Sequence, residues 1–277
     1  MTLIDILKVI VFGIIEGFAE WLPVSATGHM MLIDEMISLN MTDAFKNVFL
    51  AMIRLGAVAA VVVLNMKKLN PFYPGKKPEQ REATLRLWAK IAVAAVPAGI
   101  LGVCLDGWIS AHLYNNAVVA SMLIIYGVLL ILVENRNRYR IPGINRLGRI
   151  SFQMAFYLGV FQCLALIPGT SRSGAMILGA LLLGIARQQA VEFSMFAGIP
   201  VIVGSGLLRL VTYTPVITLY DVIYILIGML TAFVVSIYSI GFMMSWVKNN
   251  NFKLFGSYRV VLGSVVILWF AISSLMK

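Results

Sequence analysis

Six stretches of this 277-residue chain are apolar for long enough to cross a lipid bilayer as helices of about 20 residues: approximately 45–66, 88–106, 117–134, 190–211, 220–246 and 258–275. Inside hydrocarbon only helices and closed barrels satisfy their own backbone polar groups. A barrel strand alternates polar with apolar residues, and these stretches do not alternate. Composition closes the argument. Residues of the AVILMFWYC class make up 60% and charged residues only 12%, against about a quarter charged in an ordinary globular chain. The fold class is therefore an all-α polytopic membrane protein. A cytosolic enzyme, a secreted disulfide scaffold and a disordered module are excluded together.

The net charge of +10 does not point to nucleic acid, because most Lys and Arg residues lie in short stretches between the apolar spans. Cys104 and Cys163 each sit within an apolar run and read as small packing residues. A cleavable signal peptide is not expected: Asp5 offsets Lys8, and Glu16 and Glu20 stand where a small-residue cleavage site belongs.

Two further apolar regions, 3–38 and 151–185, are broken in the middle. The first break runs Leu22-Pro23-Val24-Ser25-Ala26-Thr27-Gly28-His29, the second Ile167-Pro168-Gly169-Thr170-Ser171-Arg172-Ser173-Gly174. Proline leaves a gap in the helical ladder, and glycine and hydroxyl residues favour turns. Each half is too short to span alone, so each region is expected to form a re-entrant helical hairpin. The regions also resemble each other: Gly13, Glu16, Ala19 and Pro23 match Gly159, Gln162, Ala165 and Pro168, with one residue fewer before the second proline. Each hairpin is followed by three spans. The expected organisation is a single membrane domain over 1–277 with two repeats, 1–134 and 151–277. Three crossings are an odd number, so the second repeat would lie inverted, an arrangement that places a binding site near the midplane.

Loop charges give an orientation. The 67–87, 135–150 and 247–257 loops hold six, five and two basic residues, whereas 107–116 and 212–219 hold no Lys or Arg. The three basic loops fall on one side, which the positive-inside rule makes cytoplasmic. Both termini then lie outside, and the two hairpin tips meet from opposite faces.

Glu16 and Glu20 share one helix face. They either lie shallow, at the interface, or line a polar cavity in which one binds a cation and the other moves a proton; two such ligands plus phosphate oxygens are a common way to hold Mg²⁺. His29 shares its turn with the hydroxyls of Ser25 and Thr27, and a histidine there can protonate a leaving group or activate a nucleophile; His112, in an outer loop, reads as structural. The stretch from Gly169 to Gly174 is the most telling. Backbone N–H groups at a helix start, the hydroxyls of Thr170, Ser171 and Ser173, and the planar fork of Arg172 all suit phosphate oxygens. Arg172 could also pair with a carboxylate, and both readings can hold. Arg54 could snorkel, pair with Glu16 or Glu20, or touch substrate. Glu192 is expected to pair with Arg187. No Walker loop, dinucleotide fingerprint or zinc pattern is present.

Glu16-x-x-x-Glu20-Trp-Leu-Pro-Val-Ser-Ala-Thr-Gly-His29 and Pro168-Gly-Thr-Ser-Arg-Ser-Gly174 resemble the two signature motifs of the bacterial undecaprenyl-pyrophosphate phosphatases, the bacitracin-resistance type. Glu192-Phe-Ser194 and Leu55-Gly56-Ala57 extend the resemblance over essentially the whole chain. It implies hydrolysis of undecaprenyl diphosphate to the monophosphate and inorganic phosphate, recycling the lipid carrier for peptidoglycan. It also implies a divalent cation, Mg²⁺ or Ca²⁺, on Glu16 and Glu20, catalytic roles for Glu16, Glu20, His29 and Arg172, and a multi-pass place in the bacterial inner membrane with the site open to the outer face. Phosphate contacts fall to Ser25, Thr27, Gly169, Thr170, Ser171, Arg172, Ser173 and Arg54. A polyprenyl diphosphate and the bilayer are the expected partners, with a second copy of the chain as a further candidate. The chain departs from the family pattern at Ala26, where a second serine is usual, and at Leu50 and Arg54, where a glutamate and a glutamine are usual. Two other readings stand beside hydrolysis: a polyprenyl-phosphate transporter or flippase, and a lipid-binding paralogue with weakened catalysis.

Overall fold

The computed structural model describes residues 2–275, and every regular element among them is helical. In chain order these are α1 (Leu3–Ala19), α2 (Ala26–Met36), α3 (Asp43–Leu64), the single turn α4 (Met66–Leu69), α5 (Pro78–His112), α6 (Asn116–Arg136), α7 (Phe152–Cys163), α8 (Arg172–Leu182), α9 (Arg187–Thr212), α10 (Leu219–Asn249) and α11 (Lys253–Leu275). Helices α3, α5, α6, α9, α10 and α11 are long and apolar enough to cross a membrane. They are the six expected spans, so the chain is an all-α polytopic membrane protein. The largest departure is α5. Its 35 residues make a rod of about 52 Å, longer than the bilayer core, so Arg81 and Arg86 belong to its first turns and not to an irregular loop. Pro78 at the first helical position and Gln80 reaching back to the Lys77 amide start it there.

Both broken regions fold as helix, turn, helix. Ser25 and Ser171 are the non-glycine residues with positive φ among those described, at 75° and 72°. The two stand 146 residues apart, the same separation as Gly13 and Gly159. Each serine caps the helix that follows it, its hydroxyl accepting from Gly28 N at 3.3 Å and from Gly174 N at 3.1 Å. A left-handed conformation costs a non-glycine residue on the order of 1–3 kcal/mol and persists where the surroundings over-determine it, commonly at functional sites. The cap offsets about 1 kcal/mol of that. Helices α2 and α8, of 11 residues each, are only about 16 Å long and cannot span.

Small residues let the helices approach closely, as membrane interfaces require. A Cβ added at Gly13 would meet Gly228 O of α10 at 2.8 Å, and one at Gly159 would meet Ala94 O of α5 at 2.6 Å. Accordingly α1 packs on α10, α7 packs on α5, α3 meets both α9 and α10, and α6 packs along α11. Exposed side chains such as Val96, Ile100 and Val103 on α5 present a lipid-compatible outer surface. Cys104 is exposed and Cys163 donates its thiol to Gly159 O, so the two are not paired.

The expected Glu192–Arg187 pair does not form. Residues five apart on a helix point about 140° away from each other, and each finds a partner elsewhere. Glu192 pairs with Lys68 of α4. Arg187 donates to Glu134 of α6 at 2.5 and 2.8 Å, and Glu134 also accepts from the Phe252 amide.

Candidate active site

The two breaks meet around a cavity of about 140 Å³ whose wall includes Glu20, Ala26, Thr27, Arg54, Gly169, Ser171, Arg172 and Ser205. Helices α1, α2 and α3 and the start of α8 thus each bring chemistry to one place. The geometry follows from local sequence: Pro23 and Pro168 end the incoming helices, and the positive-φ serines turn the chain so that a helix N-terminus faces the cavity.

Arg172 sits at the first position of α8. Its Nε and Nη2 donate to Glu20 Oε1 at 3.2 and 3.1 Å, its Nη1 donates to Ser194 O at 2.6 Å, and its guanidinium lies 5.7 Å from the centre of the Trp21 ring. Both groups are largely buried, with 11% and 10% of their side chains exposed. Arg172 forms the expected salt bridge to a carboxylate and also lines the cavity. Gly198 of α9 makes room for it: a Cβ there would stand 2.3 Å from Arg172 Nη1. Nothing in the sequence marks Gly198, which sits in an ordinary apolar helix.

Glu16 lies one turn before Glu20, fully buried, and neither of its oxygens has a hydrogen-bond partner among the described residues. Arg54 Nε approaches Glu16 Oε1 to 3.6 Å, too far for a hydrogen bond, and is itself unpartnered. Glu16 is sealed, whereas Arg54 lines the cavity with 31% of its side chain exposed. Two carboxylates from neighbouring turns, one of them with bare oxygens, are a donor set that suits a divalent cation, although no group of three or more His, Cys, Asp and Glu side chains gathers among the described residues.

The hydroxyls divide. Thr27 and Ser171 line the cavity. Ser25 is buried and committed to capping α2, and Ser173 donates to Leu22 O at 3.1 Å, tying the second break to the first. Thr170 is buried with its hydroxyl unpartnered. His29 is drawn away from the cavity wall. Its Nδ1 lies 2.8 Å from Ser25 O and its Nε2 2.6 Å from the Tyr258 hydroxyl, with the two rings stacked. A carbonyl only accepts, so Nδ1 carries the hydrogen and Nε2 faces Tyr258.

Arg259 is the residue that sequence reasoning passes over. It is completely buried in α11 and donates to backbone carbonyls of both breaks: Gly169 at 2.8 Å, Thr170 at 2.9 Å and Pro23 at 3.3 Å. The signal available was its position, a charge inside the 258–275 span, where an arginine costs roughly 3 kcal/mol on insertion scales.

These elements define a polytopic helical membrane protein with an arginine-lined cavity between two broken helices. The chain belongs to the family described as bacitracin resistance protein BacA, which it matches over residues 9–265. It is 48% identical over 274 residues to an Enterococcus faecalis protein named undecaprenyl-diphosphatase, covering 98% of this chain and 99% of that one. A Desulfitobacterium hafniense relative of the same name is 47% identical over 272 residues, 98% of each chain. Another from Acetivibrio thermocellus is 46% identical over 268 residues, 97% of this chain and 98% of that one.

Proposed function

We infer that the chain is an integral-membrane phosphatase that hydrolyses undecaprenyl diphosphate to undecaprenyl phosphate and inorganic phosphate. The observation that carries this is Arg172, at once the first residue of α8, the partner of Glu20 and a wall of the cavity. Phosphoryl transfer asks a protein chiefly to position the group and neutralise its oxygens. A guanidinium fork, a helix N-terminus and the second guanidinium of Arg54 do that for a terminal phosphate. The name shared by the relatives favours hydrolysis over transport of the same lipid.

Glu16 and Glu20 are the groups that would hold a divalent cation, and such an ion supplies charge neutralisation to the diphosphate. Of the two carboxylates Glu20 lines the cavity, so it is the one placed to accept a proton from the water that attacks the terminal phosphorus. The bond that breaks is the one between that phosphorus and the bridging oxygen. The monophosphate lipid leaves, and Thr27 and Ser171 donate to the oxygens that carry the charge. His29, bound to Ser25 O and Tyr258, holds the geometry of the first break. Purified protein given undecaprenyl diphosphate is expected to release phosphate, to stop with chelator and to resume with Mg²⁺ or Ca²⁺. No release above a protein-free control would end this reading, and release untouched by chelator would remove the metal.

The organisation we propose is two repeats, 1–134 and 151–277, inverted in the bacterial cytoplasmic membrane. Supporting it are the matched positive-φ serines and the equivalent packing of α1 on α10 and α7 on α5. The basic loops would face the cytoplasm and the site the outer face. A cysteine placed in 67–77 is then expected to escape an impermeant thiol reagent in intact cells, and one in 113–115 to react. The opposite pattern would reverse the orientation.

A further inference from the structure

The Arg259 guanidinium is a full charge sealed inside the helices, and no carboxylate lies within ion-pair distance of it among the described residues. Its hydrogen-bond partners among the described residues are all backbone carbonyls. Besides Gly169, Thr170 and Pro23 it reaches Met122 O at 3.3 Å and Leu123 O at 3.5 Å on α6, and it lies 5.8 Å from the centre of the Tyr126 ring. A hydrogen bond to a charged group contributes about 1.5–3 kcal/mol, so several of them can offset the burial of one cation. A side chain kept only for packing would not need a charge here.

The position of those carbonyls matters more than their number. In a trans peptide the C=O and the following N–H point in opposite directions. With the Thr170 carbonyl turned onto Arg259, the Ser171 amide is turned away from it, and that amide makes no backbone hydrogen bond among the described residues. Ser171 and Gly169 line the cavity. Gly169 adopts φ 92° and leaves no room for a Cβ, which would stand 2.5 Å from Val119 O. The same guanidinium also grips Pro23 of the first break, three residues beyond Glu20.

We propose that Arg259 is a positioning residue for the phosphatase reaction: one guanidinium clasps both breaks by their carbonyls, sets the distance between Glu20 and Arg172, and aims the Ser171 amide at the terminal phosphate. This rests on the phosphatase reading. Arg259 touches no substrate; it acts through the loops, and its unneutralised charge adds to the pull on the anion. Lysine keeps the charge but offers a compact ammonium in place of the planar fork, so it can hold one break and not both.

The test uses full-length protein in detergent, with phosphate release from undecaprenyl diphosphate measured per correctly folded molecule. Arg259→Lys is expected to lower kcat roughly a hundredfold, the scale of a misplacement of about 1 Å, with KM changed by no more than about threefold. Arg259→Gly is expected to be inactive and to regain turnover when guanidinium is added far below denaturing concentrations. An active wild type with unchanged kcat in Arg259→Lys overturns the proposal and leaves the phosphatase reading intact, whereas an inactive wild type strikes at that reading itself. Failure of both variants to fold even with guanidinium present also overturns it, since Arg259 would then serve the scaffold alone.

Discussion

Arg172→Ala is expected to abolish phosphate release, with a loss of about three orders of magnitude or more in kcat. The guanidinium has three tasks: it faces the cavity, it neutralises Glu20 through two nitrogens, and it is anchored on Ser194 O. Arg172→Lys should lose nearly as much, because an ammonium cannot keep the fork on Glu20 and also present a planar face to phosphate. Gly198→Ala should reproduce much of the loss without touching the arginine, since the new Cβ would occupy the space of the guanidinium. Glu20→Ala combined with Arg172→Ala should cost little more than either alone, because the two act as one unit. Steady-state assays on these variants, Glu20→Ala alone included, with folding followed by thermal melting, check this. Additive losses would mean that Glu20 and Arg172 serve separate steps, and full activity in Gly198→Ala would mean that the anchored position of Arg172 is not the working one.

The carboxylates carry the second large effect. Ala26 lines the cavity without a hydroxyl, and in the water route proposed above the attacking water needs a base. Glu16→Gln and Glu20→Gln are expected to reduce turnover by about three orders of magnitude each. Thr27→Ala, which removes one donor, should cost about 1 kcal/mol and hence several-fold in rate. His29→Ala is expected to fall by roughly a hundredfold through loss of the first break's geometry, because the ring is bound to Ser25 O and Tyr258 and lies off the cavity wall. Ala26→Ser should gain no more than about tenfold. A gain of two orders of magnitude or more would show that a hydroxyl at position 26 is the natural nucleophile and that this chain has given most of that route up.

Much of this architecture was legible from the chain. Hydrocarbon acts on each segment by its own composition, so the six spans could be read one at a time, and their ends moved by only a few residues, apart from the long outward extension of α5. The two breaks were equally local: Pro23, Pro168 and the serine and glycine residues beside them dictate turns whatever surrounds them. The short capped helices α2 and α8 followed from the same residues. The Glu16, Glu20 and Arg172 cluster was visible because charges inside apolar sequence are costly and need a reason to be there.

The chain alone determined which segments enter the membrane, where they break and which charged groups must find one another. Tertiary structure decided the partners. Lys68 took Glu192 and Glu134 took Arg187, because side chains on a helix reach the neighbour that packing brings up, not the nearest residue in sequence. His29 turned toward Tyr258, 229 residues away, and Ser25 was spent on a cap. Gly198 carries no local mark, and Arg259 carries only that of a charge inside an apolar span. One is a glycine in an apolar helix and the other an arginine near a helix start, and their importance exists only where α9 clears a path for Arg172 and α11 passes behind both breaks. Such contacts depend on the separation of elements far apart in the chain, which no periodicity within either element records.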